Sequence, residues 1–378
     1  MNGVSIYMEP ETETDPFLVF GKPDIGQREI EAVVNVLRSG WLSTGKVVEE
    51  FERQFKKMVG GYPVAVASCS QGIVLSLLSM DLYTDEDASV ITTPLTFAAT
   101  ANSIISAGLN PSFVDVDESG QIDSDQIEEA IREDTRAILP VHYTGSSPKM
   151  EKILAIARKH NLPVIEDAAH GFGGTYKGKP QGTFGDFGCF SFYPTKNITC
   201  GEGGMVVCKT QEMADMVRNL AMQGLTSGAY RRYGSGPIRS YQVERPGIKA
   251  NLSDIHAAIG LVQLQRWPEL REKRAEIWEV YEDAFGRKER GHSQHLFTIL
   301  HKDRDGLRKH LHNRGIGTGI HFNPLHLEPA FDFGHMKGQF PNAEKIGAET
   351  LSLPVSTTMT VEDARRVVRE VKNFGGGK

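Results

Sequence analysis

SVITTPLTFAATANSIISAGLNPSFVDVD, residues 89–117, is the stretch whose reading decides the fold. SVITTP (89–94) is short and apolar or β-branched and stops at a proline, as a buried strand does. FAATANSIISAG (97–108) reads as a helix closed by glycine, and PSFVDVD (111–117) as a second strand. Working outward, the alternation continues on both sides. Upstream stand a strand, VAVAS (64–68), and a helix over 70–80. Downstream come a helix, SDQIEEAIRE (124–133), a strand, TRAILPVHY (135–143), a helix, MEKILAIARKH (150–160), and a strand, LPVIEDAAH (162–170). The strands are apolar throughout rather than at every second residue. That pattern predicts an α/β fold with a mostly parallel central sheet covered by helices on both faces.

Further out the pattern changes. GQREIEAVVNVLRSG (26–40) and KVVEEFERQFKKMV (46–59) read as amphipathic helices, the first with Ile30, Val33, Val34 and Leu37 on its apolar face. After residue 208 the alternation weakens. A long Gly- and Arg-rich stretch (224–247) is of a length that loops reach when they are functional or ordered by a partner. A helical region from Leu252 to about Ala284 follows, and then a strand (HLFTIL), a helix (DRDGLRKHLHNRG), a loop (GIHFNPLHLEP) and a last helix (VEDARRVVREVKNF). The expected organisation is a large domain over 1–255 and a small α+β domain over 256–378.

Bulk composition narrows the function classes. The chain has 378 residues, a net charge of -6 and a pI of about 6.1, which supplies no basic footprint for nucleic acid or an anionic membrane. It is 39% hydrophobic with a mean hydropathy of -0.31, the balance of a soluble globular protein. Cys69, Cys189, Cys200 and Cys208 form no CxxC pair and have no histidines at zinc spacing, so reduced, buried thiols and no metal site are expected. The acidic N-terminus lacks the apolar core of a signal peptide, and no apolar run is long enough to span a membrane. A cytoplasmic protein is the default expectation.

Four segments carry chemistry. VIEDAAH (164–170) puts Asp167 at the carboxyl end of an apolar strand, where ligands bind in open α/β sheets. A carboxylate there can pair with a protonated ring nitrogen; the plainer alternative is that Glu166 and Asp167 cap a following helix. SFYPTKNITCGEGGMVV (191–207) sets Lys196 between two strand-like pieces in a Gly-rich setting. There, partial desolvation would make it a usable amine nucleophile, whereas most lysines are surface groups. Gly201, Gly203 and Gly204 allow either a close backbone approach or a simple turn. VASCSQGIVLSL (66–77) ends a strand and starts a helix near Ser70, which is either a phosphate site or an ordinary serine cap. TPLTFAATAN (93–102) places Phe97 just past a strand, free to stack on a planar ring or to join the core.

Read together and in this order, these segments resemble the sugar aminotransferases of the DegT/DnrJ/EryC1/StrS family, within the fold-type I (aspartate aminotransferase-like) pyridoxal-phosphate enzymes. The resemblance spans nearly the whole chain, from FGKPDIGQREIEAVVNVLRSGWLSTG through KANLSDIHAAIGLVQL (249–264) and HFNPLH (321–326) to FPNAEKIGAETLSLPV and the last helix. It implies a role for each matching position. Lys196 matches the lysine that holds pyridoxal 5'-phosphate as an internal aldimine and shuttles protons. Asp167 matches the partner of the pyridine nitrogen, and His170 a position beside the cofactor ring. Phe97 matches the stacking aromatic. Ser70 and Ser191 match the phosphate-binding hydroxyls, with Cys69 beside them where glycine is common. Asn251 matches an asparagine that reaches the phosphate of the neighbouring subunit's cofactor, which implies a homodimer with sites at its interface. The resemblance departs at Phe322, where the family often has tyrosine, and at the short polar segment between Phe285 and His295.

A branch of the family replaces the lysine with histidine and removes a hydroxyl; Lys196 favours transamination. KNITCGEGG and RRYGSGPIRSYQVERPGIKANLSD resemble enzymes acting at C4 of nucleotide-linked 4-keto sugars. The implied reaction takes nitrogen from L-glutamate to such a sugar in a ping-pong cycle. Trp41, Lys249, His321 and His326 are candidates for the substrate, and Lys22, Arg231, Arg232 and Lys249 for its diphosphate, each weighed against an ordinary structural or solvated residue. A C3 aminotransferase, a dehydratase of the same family and a non-catalytic regulator stay open as alternatives.

Overall fold

Residues 89–113 fold as strand, helix, strand, and the two strands pair in parallel, Val90 beside Pro111 and Thr92 beside Phe113. The computed structural model describes residues 17–82, 87–225, 242–286, 290–331 and 334–375. In chain order the strands of the central sheet are β1 (Tyr62–Val66), β2 (Ser89–Thr92), β3 (Asn110–Phe113), β4 (Thr135–Ile138) and β5 (Ile165–Asp167). After a small hairpin, β6 (Thr175–Tyr176) and β7 (Lys179–Pro180), come β8 (Phe187–Ser191) and β9 (Gly204–Cys208). Hydrogen bonding gives the orders β1-β9-β8-β5 and β3-β2-β4, and parallel bridges Ile138–Val164 and Val141–Asp167 join the two. Within the described central sheet β9 runs against its neighbours, pairing antiparallel with both β1 and β8. The expected mostly parallel sheet is what forms.

Helices cover this sheet as the apolar periodicity requires. They include α1 (Gln27–Ser39), α2 (Lys46–Val59), α3 (Cys69–Leu78), α4 (Ala98–Ser106), α5 (Ile127–Ala130), α6 (Met150–Lys159) and α7 (Gln211–Ala221). A 32-residue helix, α8 (Asp254–Phe285), follows. Its first half packs Leu264, Trp267 and Leu270 with Phe55, Phe172 and Phe190 beside the sheet. Its second half places Ile277, Trp278 and Tyr281 in another core, with β10 (Phe297–Leu300), α9 (Arg304–Asn313), β11 (Thr350–Leu353) and α11 (Val361–Asn373). Between α9 and β11 lies α10 (Pro341–Glu349). Asp254 ties the start of α8 to the start of α2, accepting from the amides of Gly45 at 2.8 Å and Val48 at 3.0 Å. These supply two of the donors that a helix N-terminus leaves unpaired.

Three sequence expectations need correction. The helix expected over 124–133 is one turn, Ile127–Ala130. Its continuation is stopped where Thr135 Oγ1 takes the Arg132 amide at 3.0 Å and the Arg132 guanidinium turns to Asp134 at 3.1 Å. On α1, Ile30 and Leu37 are each 52% exposed, while Glu29 and Val36 are buried. Glu29 is drawn inward because its Oε1 accepts from Gln263 Nε2 and Arg266 Nη1, each at 2.8 Å. A paired carboxylate thus sets the rotation of the helix against its apolar residues. The third is α7, which the weakened alternation after residue 208 concealed. Thr210 caps it, accepting from the Met213 amide at 3.3 Å. Of the Gly- and Arg-rich stretch, residues 226–241, with Arg231 and Arg232, lie outside the described residues.

Candidate active site

The carboxyl ends of β1, β2, β4, β5 and β8 share one edge of the sheet, and a cavity of about 590 Å³ opens there. Asp167 ends β5. It is 6% exposed and each carboxylate oxygen is anchored by one donor, which leaves acceptor capacity on both: Oδ2 accepts from Thr100 Oγ1 at 2.8 Å and Oδ1 from the Ala169 amide at 3.1 Å. The Cys69 thiol lies 3.9 Å from the same Oδ1. Glu166, pointing the other way, binds His142 Nε2 at 2.7 Å and the amides of Gly182, Phe184 and Gly185. No helix follows Asp167 directly, so neither acid is a helix cap.

Lys196 stands on the connection between β8 and β9, in a turn closed by its own amide to Tyr193 O at 2.9 Å. Removal from water presses its pKa down to about 8, against the pull of the neighbouring Cys69 and Asp167. A lysine so tuned supplies free amine near neutrality.

The start of α3 forms another part of the wall. Ser68 is the cap, accepting from the Gln71 amide at 3.2 Å, so the helix begins at Cys69 and the Ser70 hydroxyl is left to the cavity. The first-turn amides and the helix dipole there favour an anion. Gly204 makes this possible: a Cβ on it would come within 2.6 Å of the Cys69 amide nitrogen. Ser191, at the end of β8, adds a second hydroxyl to the lining.

Phe97 precedes α4 and is 62% exposed on the cavity wall, its ring 5.9 Å from that of Phe322. A bare phenyl face beside a cavity offers stacking to a planar group. His170 is 8% exposed and stacks on Phe322 at 5.9 Å. Its Nδ1 is buried with no hydrogen-bond partner among the described residues, a place for one from a bound molecule. Burial holds its pKa well below the ordinary histidine value, with Lys196 adding to the effect.

The structure thus gathers Cys69, Ser70, Phe97, Asp167, His170, Ser191, Lys196 and His321 around one cavity. His321 Nδ1 pairs with Ser352 Oγ at 2.7 Å, and burial lowers its pKa to about 4. The remaining candidates stand elsewhere. His326 is buried against Glu344 Oε1 at 3.1 Å. Trp41 Nε1 donates to Thr44 O at 3.2 Å, and Asn251 Nδ2 to Thr44 Oγ1 at 2.5 Å, with Lys249 bonded to the Asn251 side chain. Lys22 lines a small groove beside Thr195. Thr100, Glu202 and His295 went unread in the sequence. Glu202 sits inside the quoted GEGG run, but nothing local marks the other two.

Comparison with known proteins matches the DegT/DnrJ/EryC1/StrS aminotransferase family model to residues 23–372. The chain belongs to this family. An uncharacterised protein of Methanocaldococcus jannaschii is 41% identical over 95% of this chain and 98% of its own length. The spore coat polysaccharide biosynthesis protein SpsC of Bacillus subtilis is 38% identical over 96% and 98%. Among solved structures, the PMP form of a putative sugar aminotransferase of Streptococcus pneumoniae superposes with a TM-score of 0.87 at 29% identity, covering 94% of this chain and 98% of that one. Helicobacter pylori PseC, an aminotransferase of pseudoaminic acid biosynthesis, gives 0.86 at 26%, covering 96% and 100%.

This DegT/DnrJ/EryC1/StrS aminotransferase therefore has the fold-type I architecture, and its cofactor is pyridoxal phosphate. The residues present fit that group: an amine for its aldehyde, a carboxylate for its ring nitrogen, a bare phenyl face, hydroxyls at a helix start, and an orphaned buried imidazole nitrogen. The four cysteines are free and buried, as expected. Among the described residues no helix is long and apolar enough to cross a membrane.

Proposed function

We propose that this sugar aminotransferase moves the amino group of L-glutamate to the 4-keto carbon of a nucleotide-linked (deoxy)sugar, in two half-reactions that share one site. The observation that carries the reading is Lys196, with its lowered pKa, held in one cavity with the buried carboxylate of Asp167. When bound, the cofactor supplies an aldehyde to take up the nitrogen and a cationic ring to withdraw electrons from the reacting carbon. Lys196 would hold it covalently through Nζ, and the same amine would carry the proton on and off the reacting carbon. The Asp167 carboxylate would keep the ring nitrogen protonated, since an adjacent negative charge favours the charged form. Phe97 would offer its ring for stacking, His170 Nδ1 would accept from the ring's hydroxyl, and Ser70, Ser191 and the α3 amides would hold the phosphate.

The substrate assignment rests on the KNITCGEGG segment (196–204), which resembles enzymes acting at C4. His321 belongs to the cavity lining and serves the substrate directly. Asn251, Lys249 and Trp41 lie together away from this chain's own cavity, as suits residues that reach the site of a second subunit. The bare apolar side chains Ile25, Ile30, Leu37 and Leu42 provide a surface for that copy to cover. A cytoplasmic homodimer completes the reading.

The decisive experiment records the absorption of the protein with pyridoxal phosphate before and after L-glutamate, beside Lys196→Ala. A yellow band that glutamate bleaches and the variant never forms is expected. A UDP-, dTDP- or GDP-linked 4-keto sugar then restores the band, with the new C–N bond at C4 by NMR. A band indifferent to glutamate and to the mutation overturns transamination, and nitrogen at C3 overturns the regiochemistry.

A further inference from the structure

The residue after the catalytic lysine organises a second constellation. Asn197 is buried, and its Nδ2 donates to Phe172 O at 2.9 Å and to Ser293 O at 2.8 Å. Both amide hydrogens are thereby committed to carbonyls, which fixes the orientation of the side chain without ambiguity. Its Oδ1 can only accept, and His295 Nδ1 lies 3.2 Å from it. His295 must therefore carry its proton on Nδ1, leaving a bare lone pair on Nε2.

The segment around His295 is held firmly. The Ser293 amide donates to Gly145 O at 2.9 Å, Ser293 Oγ to His170 O at 2.5 Å, and the Leu296 amide to Thr144 O at 3.1 Å. Gly145 has a φ of +114°, and a Cβ there would come within 2.1 Å of Ser293 Oγ, so the contact requires glycine. His295 itself is 4% exposed, lines the active-site cavity and has its ring 4.6 Å from that of His170. Burial keeps it neutral, reinforced by His170, Lys196, Arg274 and His321 around it. Its Nε2 has no hydrogen-bond partner among the described residues. A neutral, immobile acceptor walling a binding cavity is fitted to a neutral donor such as a hydroxyl.

We propose that His295 is a substrate-binding residue whose bare Nε2, set by Asn197, accepts a hydrogen bond from a hydroxyl of the sugar that receives the amino group. The inference rests on the nucleotide-sugar reading above. Glutamate, the donor in the other half-reaction, does not use this contact. His295 therefore acts on one half of the cycle only, and it selects against sugars lacking that hydroxyl.

The test uses the holoenzyme and the variants His295→Phe and His295→Gln, following each half-reaction by the cofactor's absorbance. The glutamate half should stay within about threefold of wild type. The sugar half should lose about 10- to 100-fold in kcat/KM with His295→Phe, the loss typical of one buried hydrogen bond, and recover in part with the acceptor of His295→Gln. An analogue with the hydroxyl replaced by hydrogen should be no worse for the Phe variant than the parent sugar. In 15N-histidine-labelled wild-type holoenzyme, His295 Nε2 should be unprotonated and its signal should move on adding sugar. Equal losses in both halves, an unchanged sugar half, or a proton on Nε2 would overturn the inference alone. A wild-type enzyme that accepts no nucleotide-linked keto sugar overturns the function reading and takes this inference with it.

Discussion

Thr100 Oγ1 donates to Asp167 Oδ2 at 2.8 Å, so the carboxylate proposed to pair with the cofactor's ring nitrogen is steered by α4, the helix that joins β2 to β3. The same hydroxyl pairs with Thr96 Oγ1 at 2.7 Å, which makes α4 the rigid support of the pair.

Replacing Thr100 by valine keeps its volume and removes the donor. A hydrogen bond to a buried charged group contributes about 1.5–3 kcal/mol. Cofactor affinity in T100V should fall about tenfold or more, with the absorbance band of the remaining holoenzyme displaced. A titration with pyridoxal phosphate that superposes on wild type would remove Thr100 from the site.

Phe97 separates binding from stability. At 62% exposure its ring adds little to the fold, so Phe97→Ala should shift the apo protein's stability by no more than about 0.5 kcal/mol. Aromatic stacking on the cofactor contributes about 0.5–1.5 kcal/mol beyond area burial, so cofactor affinity should drop by about threefold to tenfold. Calorimetry of the apo and loaded forms reads both; a large fall in apo Tm would place Phe97 in the core.

Lys196 predicts the pH dependence of cofactor capture. Its amine loses the proton as pH rises through about 8, rather than 10.5 as in the ordinary side chain. Stopped-flow capture of pyridoxal phosphate by the apo protein should therefore accelerate up to about pH 8 and level off above it. A rate still climbing at pH 9 and beyond contradicts the buried, tuned amine.

The cavity histidines predict acid lability. His170 and His295 are held well below 6.5 and His321 at about 4, chiefly by burial. In the unfolded chain the same rings protonate near 6.5. Between about pH 6.5 and 4 the unfolded state thus binds more protons, so stability falls as pH drops, by up to about 1.4 kcal/mol per pH unit for each ring. The apo protein's Tm should decline from pH 7 to 5; a flat Tm would show the rings already charged in the fold.

How far the sequence could be read depended on the range of the interaction. Strand and helix periodicity is local, and it placed α2 to the residue and the parallel strands to within a few. The helix over 124–133 failed where Thr135 and Asp134 outbid helical bonding for Arg132. On α1 the apolar spacing was real, but the burial of Glu29 was decided by Arg266, far away in the chain. The active site divided the same way. Lys196, Asp167 and the Ser68–Ser70 helix start carry motif signals. Thr100 meets Asp167, and His295 meets Asn197, only because the fold brings distant segments together. A residue whose meaning is a contact has no signature of its own.

The antiparallel strand β9 leaves a final mark. It pairs back on β8, so the connection over 192–203 that carries Lys196 leaves and re-enters the sheet at one rung, Ser191 facing Gly204, and the other side of β8 pairs Cys189 with Asp167. Main-chain pairing, rather than the fit of side chains beneath, thus sets where both ends of the lysine's loop stand beside the strand that bears the carboxylate. Core residues can drift under such a scaffold, altering how well the molecule keeps its shape, while the two anchoring points of the loop stay gauged by the backbone.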